Sequence, residues 1–121
     1  MTILVLGWVA VIAVIGVAAT SVGALLTARE AAYTAAEAAA LAAAVATYPP
    51  AAPESPVALA AEYAARNQAR LISCQCPVDL SIRPRTVTVT TGRDVEVPIF
   101  GLVTVRAAAR SEFDPGRWLG G

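Results

Sequence analysis

The first 28 residues contain no ionisable side chain, and this run constrains the fold more than any other feature. Read as a helix, Met1–Ala28 is about 40 Å long, whereas the hydrocarbon core of a bilayer is about 30 Å thick. A secretory signal would show a basic start, a shorter apolar run and a small-residue cleavage site. The run therefore predicts a membrane-spanning helix. The alternative, a helix buried in a soluble core, requires more chain than the remaining residues supply.

The same helix is predicted to continue beyond the membrane. Arg29 and Glu30 are good helix formers, and no glycine or proline follows until Pro49. We therefore predict one helix from Thr2 to about Thr47, with its first half in lipid and its second half in water. A helix of this length is unusual for a globular domain and suits an anchored stalk or a subunit that packs against copies of itself.

One stripe of this helix, followed at spacings of three and four, begins at Leu6 and ends at Tyr48. Small residues occupy its middle, as in membrane helices whose backbones approach closely. Two interpretations remain open, a helix–helix packing seam or chance in a chain rich in glycine, alanine and threonine. The candidate seam consists of Ala13, Gly16, Thr20, Gly23, Thr27, Glu30, Thr34 and Glu37.

A proline-rich linker at residues 48–55 separates the long helix from a second, shorter one. Ser55 is a suitable N-cap, with Pro56 at the first helical position. The second helix is predicted to run from Pro56 to about Ala69. Glu62 and Arg66 lie four residues apart and should form a solvated ion pair on its surface.

After the second helix the apolar period changes to two, which predicts strands. The first strand is predicted from Leu71 to Ile82, with a kink at Pro77. A turn at residues 83–86 leads to a second, valine-rich strand, and a third runs from Leu102 to about Arg110 after the loop "PIFG".

The register of the first two strands follows from placing the turn at residues 83–86. The predicted opposed pairs are Ile82–Val87, Leu80–Val89, Cys74–Val95 and Pro77–Gly92. A two-residue hairpin turn within Thr91–Asp94 is disfavoured, because it would scatter the valines between the two faces of the sheet. A three-residue loop there remains possible.

The predicted fold class is α+β: a long N-terminal transmembrane helix, a short second helix and a small antiparallel β-meander. We divide the chain into a membrane helix that continues outside the bilayer (1–47), a linker (48–55) and a small α+β domain (56–121). The apolar face of the meander is expected to pack on the second helix and the outer half of the first.

The sequence offers little for catalysis or ligand binding. It has no histidine, so neither a serine–histidine–aspartate set nor a histidine metal ligand can form. Its formal net charge is zero, which gives no electrostatic reason to bind nucleic acid. We expect no cofactor, no metal, no small-molecule substrate and no enzymatic activity.

Cys74 and Cys76 are the only cysteines. On an extended strand their side chains point the same way but lie too far apart for a relaxed disulfide. Free, semi-buried thiols or a disulfide between subunits are therefore expected, and two thiolates alone would be half a zinc site.

Four segments together resemble a known family: "TILVLGWVAVIAVIG", "AREAAYTAAEAAALAAA", "AARNQARLISC" and the valine-rich end "VTVRAAAR". The chain is similar to the TadE/TadG-like pilus-assembly proteins, and especially to their short actinobacterial forms encoded near secretion genes. The resemblance implies a pilin-like fold and a minor-pilin-like structural subunit of a Flp/Tad-type (type IV-like) pilus or secretion apparatus. Its implied partners are the bilayer, other pilin-like subunits and membrane components of the Tad machine, driven by a separate ATPase.

The chain departs from the family pattern at several positions. Val5 stands where pilins carry a glutamate, and the family's Asn-Gly junction reads Asn67-Gln68. Processing as a prepilin, a start upstream of Met1 and the family disulfide therefore stay open, as does the choice between entering a filament and aiding its assembly.

The membrane orientation rests on the resemblance, because Arg29 alone is weak evidence for the positive-inside rule. The resemblance implies a single-pass protein with its C-terminal domain outside the cytoplasm. The alternative function is a membrane-anchored binding module at the cell surface.

Overall fold

The structure is a computed structural model that describes residues 1–120. It consists of one long helix, a short second helix and a three-stranded antiparallel sheet, which confirms the predicted α+β class. The elements are α1 (Thr2–Ala46), a 3₁₀ turn (Pro49–Ala51), α2 (Pro56–Arg66), β1 (Arg70–Gln75), β2 (Arg85–Val97), β3 (Gly101–Phe113) and α3 (Pro115–Gly120).

Helix α1 is continuous and has two different halves. Residues 2–20 are exposed on every side, whereas one face from Ser21 onward is covered by α2 and the sheet. The covered face is almost entirely alanine, and a small side chain allows another element to approach the helix backbone closely. Its buried alanines are Ala28, Ala32, Ala35, Ala36, Ala39, Ala40, Ala43, Ala44 and Ala46.

Helix α2 begins as predicted and ends three residues earlier than predicted. The Ser55 hydroxyl accepts a hydrogen bond from the Ala58 N–H at 3.1 Å, which confirms the N-cap. The helix stops at Arg66 because Gln68 takes a left-handed conformation, with φ of 63°. The Ala69 N–H then bonds back to the Ala64 carbonyl, as in a Schellman motif.

Strands β2 and β3 form a long hairpin, and β1 lies on the free side of β2. The hairpin turn is at residues 98–100, and Val97 pairs with Gly101. Because β2 runs unbroken through Thr91–Asp94, no hairpin turn exists there, as the valine parity indicated. Val87 and Val89 are fully buried on the face that meets α1.

The predicted first strand is wrong in length and register. Strand β1 ends at Gln75 instead of Ile82. Pro77 interrupts it because proline has no backbone N–H to donate to the ladder. Residues 76–84 therefore form a loop that is held by the Arg85 side chain and a backbone hydrogen bond to Thr47 instead of by strand pairing.

The observed register differs at each predicted pair that it tests. Cys74 lies opposite Val89, not Val95, and Gly92 lies opposite Arg70, not Pro77. The predicted partners of Val87 and Val89, Ile82 and Leu80, are exposed loop residues outside the sheet.

A bulge does occur, but between Leu71 and Ser73. Ile72 is the extra residue, and its side chain lies over Gly92. A Cβ at position 92 would lie 2.7 Å from the Ile72 Cδ1 atom, so a side chain there would force Ile72 to move. The bulge and the glycine thus fit each other.

A buried hydrogen bond joins the sheet to α1. The Thr91 hydroxyl, fully buried in the middle of β2, donates to the Ala32 carbonyl at 2.6 Å. Together with the alanine face, this bond fixes the height of the sheet along the helix.

Candidate functional site: the long helix, its exposed stripe and the hairpin tip

The N-terminal half of α1 is a candidate membrane span. Its most apolar 18-residue window has a mean hydropathy of 2.6, and none of that window is buried by the rest of the chain. Large apolar side chains such as Ile3, Trp8 and Ile12 are exposed. The alternative of a helix buried in a soluble core is therefore excluded for this structure, and the helix fits single-pass membrane anchoring.

The candidate seam lies on the outside of the subunit. All eight of its residues, from Ala13 to Glu37, are exposed. A Cβ placed on Gly16 or Gly23 would find no other atom within 4 Å, so these positions are open in the subunit. The Thr20 hydroxyl donates to the Gly16 carbonyl at 2.8 Å and is thereby satisfied within the helix.

The stripe does not stay outside along its whole length. Ala44 and Tyr48, at its C-terminal end, are buried within the subunit. The part available to a partner thus ends near Leu41, which is exposed.

The carboxylates of the stripe, Glu30 and Glu37, are exposed to solvent. Within residues 1–120 the ion pairs are Glu62–Arg66, at 2.7 Å, and Arg70–Asp94, at 2.6 Å. Glu30 and Glu37 belong to neither pair.

Asp94 lies on the outer face of the sheet between two donors. The Thr104 hydroxyl donates to one of its oxygens and the Arg70 guanidinium to the other. The hydrogen bond from Thr104, followed by that from Arg70, holds the pKa of Asp94 below its ordinary value. Because Arg70, Asp94 and Thr104 lie on three different strands, this arrangement links β1, β2 and β3.

Arg85 fastens the loop 76–84 to the end of α1. Its guanidinium donates to the carbonyls of Asp79 at 2.6 Å and Thr47 at 3.1 Å, and also to that of Ser81. The Asp79 N–H donates to the Thr47 carbonyl at 2.8 Å. This role of Arg85 was not predicted from the sequence, because nothing in the spacing of an arginine indicates backbone carbonyls as its partners.

Cys74 and Cys76 form an intramolecular disulfide, so the expectation of free thiols or of a disulfide between subunits is wrong. The expectation assumed an extended strand through both residues. Strand β1 instead ends at Gln75, and the two Cα atoms are 5.4 Å apart, within disulfide range. Cys76 is buried against the alanine face of α1.

Within residues 1–120, no group of three or more His, Cys, Asp or Glu side chains is placed to hold a metal ion.

The tip of the β2–β3 hairpin lies beside the candidate membrane span. Between them is an open groove of about 550 Å³. The groove is lined on one side by α1 between Ala13 and Leu25, and on the other by Val97, Ile99 and Phe100.

Residues 1–46 match the model of the Tad family, described as "Putative Flp pilus-assembly TadE/G-like". The match covers 46 of the 121 residues, and within them the long helix is similar to the TadE/G-like family. The match confirms the resemblance for the first two of the four segments, which lie in α1, and supports a pilus-related role. The other two segments lie outside the matched residues. No curated protein and no solved structure matches the chain. The matched residues coincide with α1, which carries both the candidate membrane span and the exposed stripe.

Proposed function

We propose that the chain is a minor-pilin-like structural subunit of a Flp/Tad-type pilus or secretion apparatus. It acts by packing its long helix against other pilin-like subunits and membrane components of that machine. It performs no chemistry itself, and a separate ATPase supplies the energy for assembly.

The observation that carries the proposal is the division of α1 into two halves. Residues 2–20 are exposed and carry no ionisable side chain, with the hairpin tip beside their C-terminal part, whereas the C-terminal half is the support on which the sheet packs. A subunit built this way presents a helix that only lipid or other helices can cover. The TadE/G-like match covers this helix and also supports a role in pilus assembly.

The stripe is the surface we assign to helix packing. Gly16 and Gly23 are open within the subunit, so a partner helix can reach their backbone. In lipid, close approach of this kind contributes van der Waals contacts that large side chains would prevent. Glu30 and Glu37 extend the same face into water, where a basic partner would complement them.

The proposal places the C-terminal domain outside the cytoplasm, where the pilus is assembled. The disulfide between Cys74 and Cys76 supports this orientation, because structural disulfides persist in oxidising compartments.

Crosslinking in native membranes, with the machine's own components present, tests the proposal. Gly23→Leu removes close approach but keeps the segment apolar, so insertion should be retained and crosslinks to pilin-like partners should be lost. A Cβ at position 23 would find no other atom within 4 Å, and a longer side chain would extend into the open groove between α1 and β2, so the substitution should leave the fold of the domain intact.

The matched control is Val22→Leu, one residue round the helix and also exposed. It should crosslink like the parent. If Gly23→Leu also crosslinks like the parent, the stripe is an accident of composition and the packing proposal fails.

A second candidate function is a membrane-anchored binding module. It is favoured by exposed apolar side chains at the end of the domain far from the hairpin tip. They are Val78, Leu80, Ile82, Trp118 and Leu119. A binding module would lose its partner on substitution of this patch and would be indifferent to Gly23→Leu.

A further inference from the structure

We propose that the tip of the β2–β3 hairpin, residues 97–102, inserts into the lipid bilayer beside α1. The chain would then be held at the membrane by two elements, the spanning helix and the hairpin tip. This inference goes beyond the pilus role and does not depend on it.

The tip presents large apolar side chains to its surroundings. Ile99 is 85% exposed, Phe100 76% and Leu102 72%. Between Glu96 and Arg106 the chain has no ionisable side chain. A soluble domain gains nothing by exposing such a turn to water, whereas an interface with lipid would bury it.

The backbone conformation of the turn also favours insertion of the tip into lipid. Pro98 and Ile99 are its central residues, and the Phe100 N–H donates to the Val97 carbonyl at 3.2 Å. Ile99 has a φ of 75°, a conformation that favours glycine or asparagine and is costly for a β-branched residue. An isoleucine at this position weakens the turn. A contact between its apolar side chain and lipid would explain why isoleucine occupies a position that favours glycine.

The height of the tip along α1 identifies lipid as the occupant. The tip lies beside α1 between Ala13 and Leu25, inside the charge-free run. The first charges of β2 back from the tip, at Arg93, Asp94 and Glu96, lie beside α1 between Thr20 and Ala28, at the C-terminal end of the charge-free run. The tip therefore lies deeper along the charge-free run than the charges of its own hairpin, as expected of a hairpin that enters a bilayer with its apolar end.

The groove between the tip and α1 fits an acyl chain. Of the residues that line it, Ser21 has the only polar side chain, and its hydroxyl donates to the Val17 carbonyl at 2.8 Å. The groove therefore offers a ligand no free hydrogen-bonding side chain, and an open apolar groove at this depth would be filled by lipid tails.

Tryptophan fluorescence quenched by brominated acyl chains tests the insertion, with full-length protein in phosphatidylcholine vesicles. The probe is Phe100→Trp in a chain that also carries Trp8→Phe and Trp118→Phe. We expect its emission to be blue-shifted and quenched by bromolipid.

The two native tryptophans supply the controls. Trp8, kept alone, lies in the exposed apolar half of α1 and should be quenched. Trp118, kept alone, follows the far end of β3, about 40 Å from the tip at 3.3 Å per residue, and should not be quenched.

A second variant separates insertion from folding. Ile99→Asn places a residue that tolerates positive φ at the turn, so the hairpin should fold at least as well. Combined with Leu102→Asn, it should reduce quenching of the tryptophan at position 100 toward the level of Trp118.

Two results would overturn the proposal. An unquenched, red-shifted tryptophan at position 100 would show a tip in water. Emission that is blue-shifted but not quenched, and that loses its blue shift when the protein-to-lipid ratio is lowered, would show that a second copy of the chain covers the tip. Either result would leave the crosslinking of the stripe unaffected, so failure here is distinct from failure of the pilus role.

Discussion

Replacing a buried alanine of α1 by leucine should loosen the sheet from the helix. Ala40 has no exposed surface and belongs to the core between α1, α2 and the sheet. Leucine adds three heavy atoms where no space is open, and overpacking of this kind costs about 1–3 kcal/mol. A domain of this size has a total stability on the order of 5–10 kcal/mol, so Ala40→Leu would remove a large share of it.

The adjacent residue gives a matched control. Leu41 is 63% exposed, so Leu41→Ala should change the free energy of unfolding by about 0.5 kcal/mol or less. Pulse proteolysis across a urea gradient, with full-length protein in detergent micelles, measures the free energy of unfolding of both variants. If Ala40→Leu unfolds at the same urea concentration as the parent, the sheet does not press on this face of the helix and the described core is wrong.

Three further predictions follow from local features of the domain. Gln68→Gly should stabilise it by about 0.5–1 kcal/mol in the same proteolysis assay, because glycine adopts positive φ without steric cost; an unchanged midpoint would contradict the left-handed cap. Intact mass without reductant should show Cys74 and Cys76 joined within one chain, and two free thiols would contradict the observed end of β1. Thr104→Val should destabilise the domain at neutral pH, and this effect should fade as the pH falls below about 4 and through the lowered pKa of Asp94, because the hydrogen bond favours the fold only where the carboxylate is ionised. If the stability difference between Thr104→Val and the parent does not change with pH, it does not arise from the ionised Asp94 carboxylate.

The elements that the sequence predicted well are those that depend on local pattern. The charge-free run and the lack of a breaker before Pro49 were enough to predict α1 within one residue at its C-terminal end. Period-two valines indicated the buried face of β2, and Ser55 with Pro56 indicated the start of α2.

The errors arose where long-range contacts decide the structure. The alternating pattern up to Ile82 is typical of a strand, yet Pro77 ends the pairing and Arg85 holds the following loop through backbone carbonyls. Such carbonyls have no sequence signature. The disulfide was missed for the same reason, because its geometry depends on where β1 ends.

The exposed stripe could be predicted as a pattern but not as a surface. The pattern does not say which face of α1 the sheet covers, and it is the position of the domain on the alanine face that leaves Gly16 and Gly23 open. The hairpin tip had no comparable signal, because "PIFG" reads as an ordinary loop until its position beside the membrane span is known.

The most direct test of the account is the amount of surface pili on cells in which this gene has been deleted. The account predicts that pili of the Flp type are lost or strongly reduced, that the parent chain restores them, and that Gly23→Leu, expressed and inserted to the same level, does not. Undiminished pili in the deletion strain would contradict the proposed role of the chain as a subunit of the pilus apparatus.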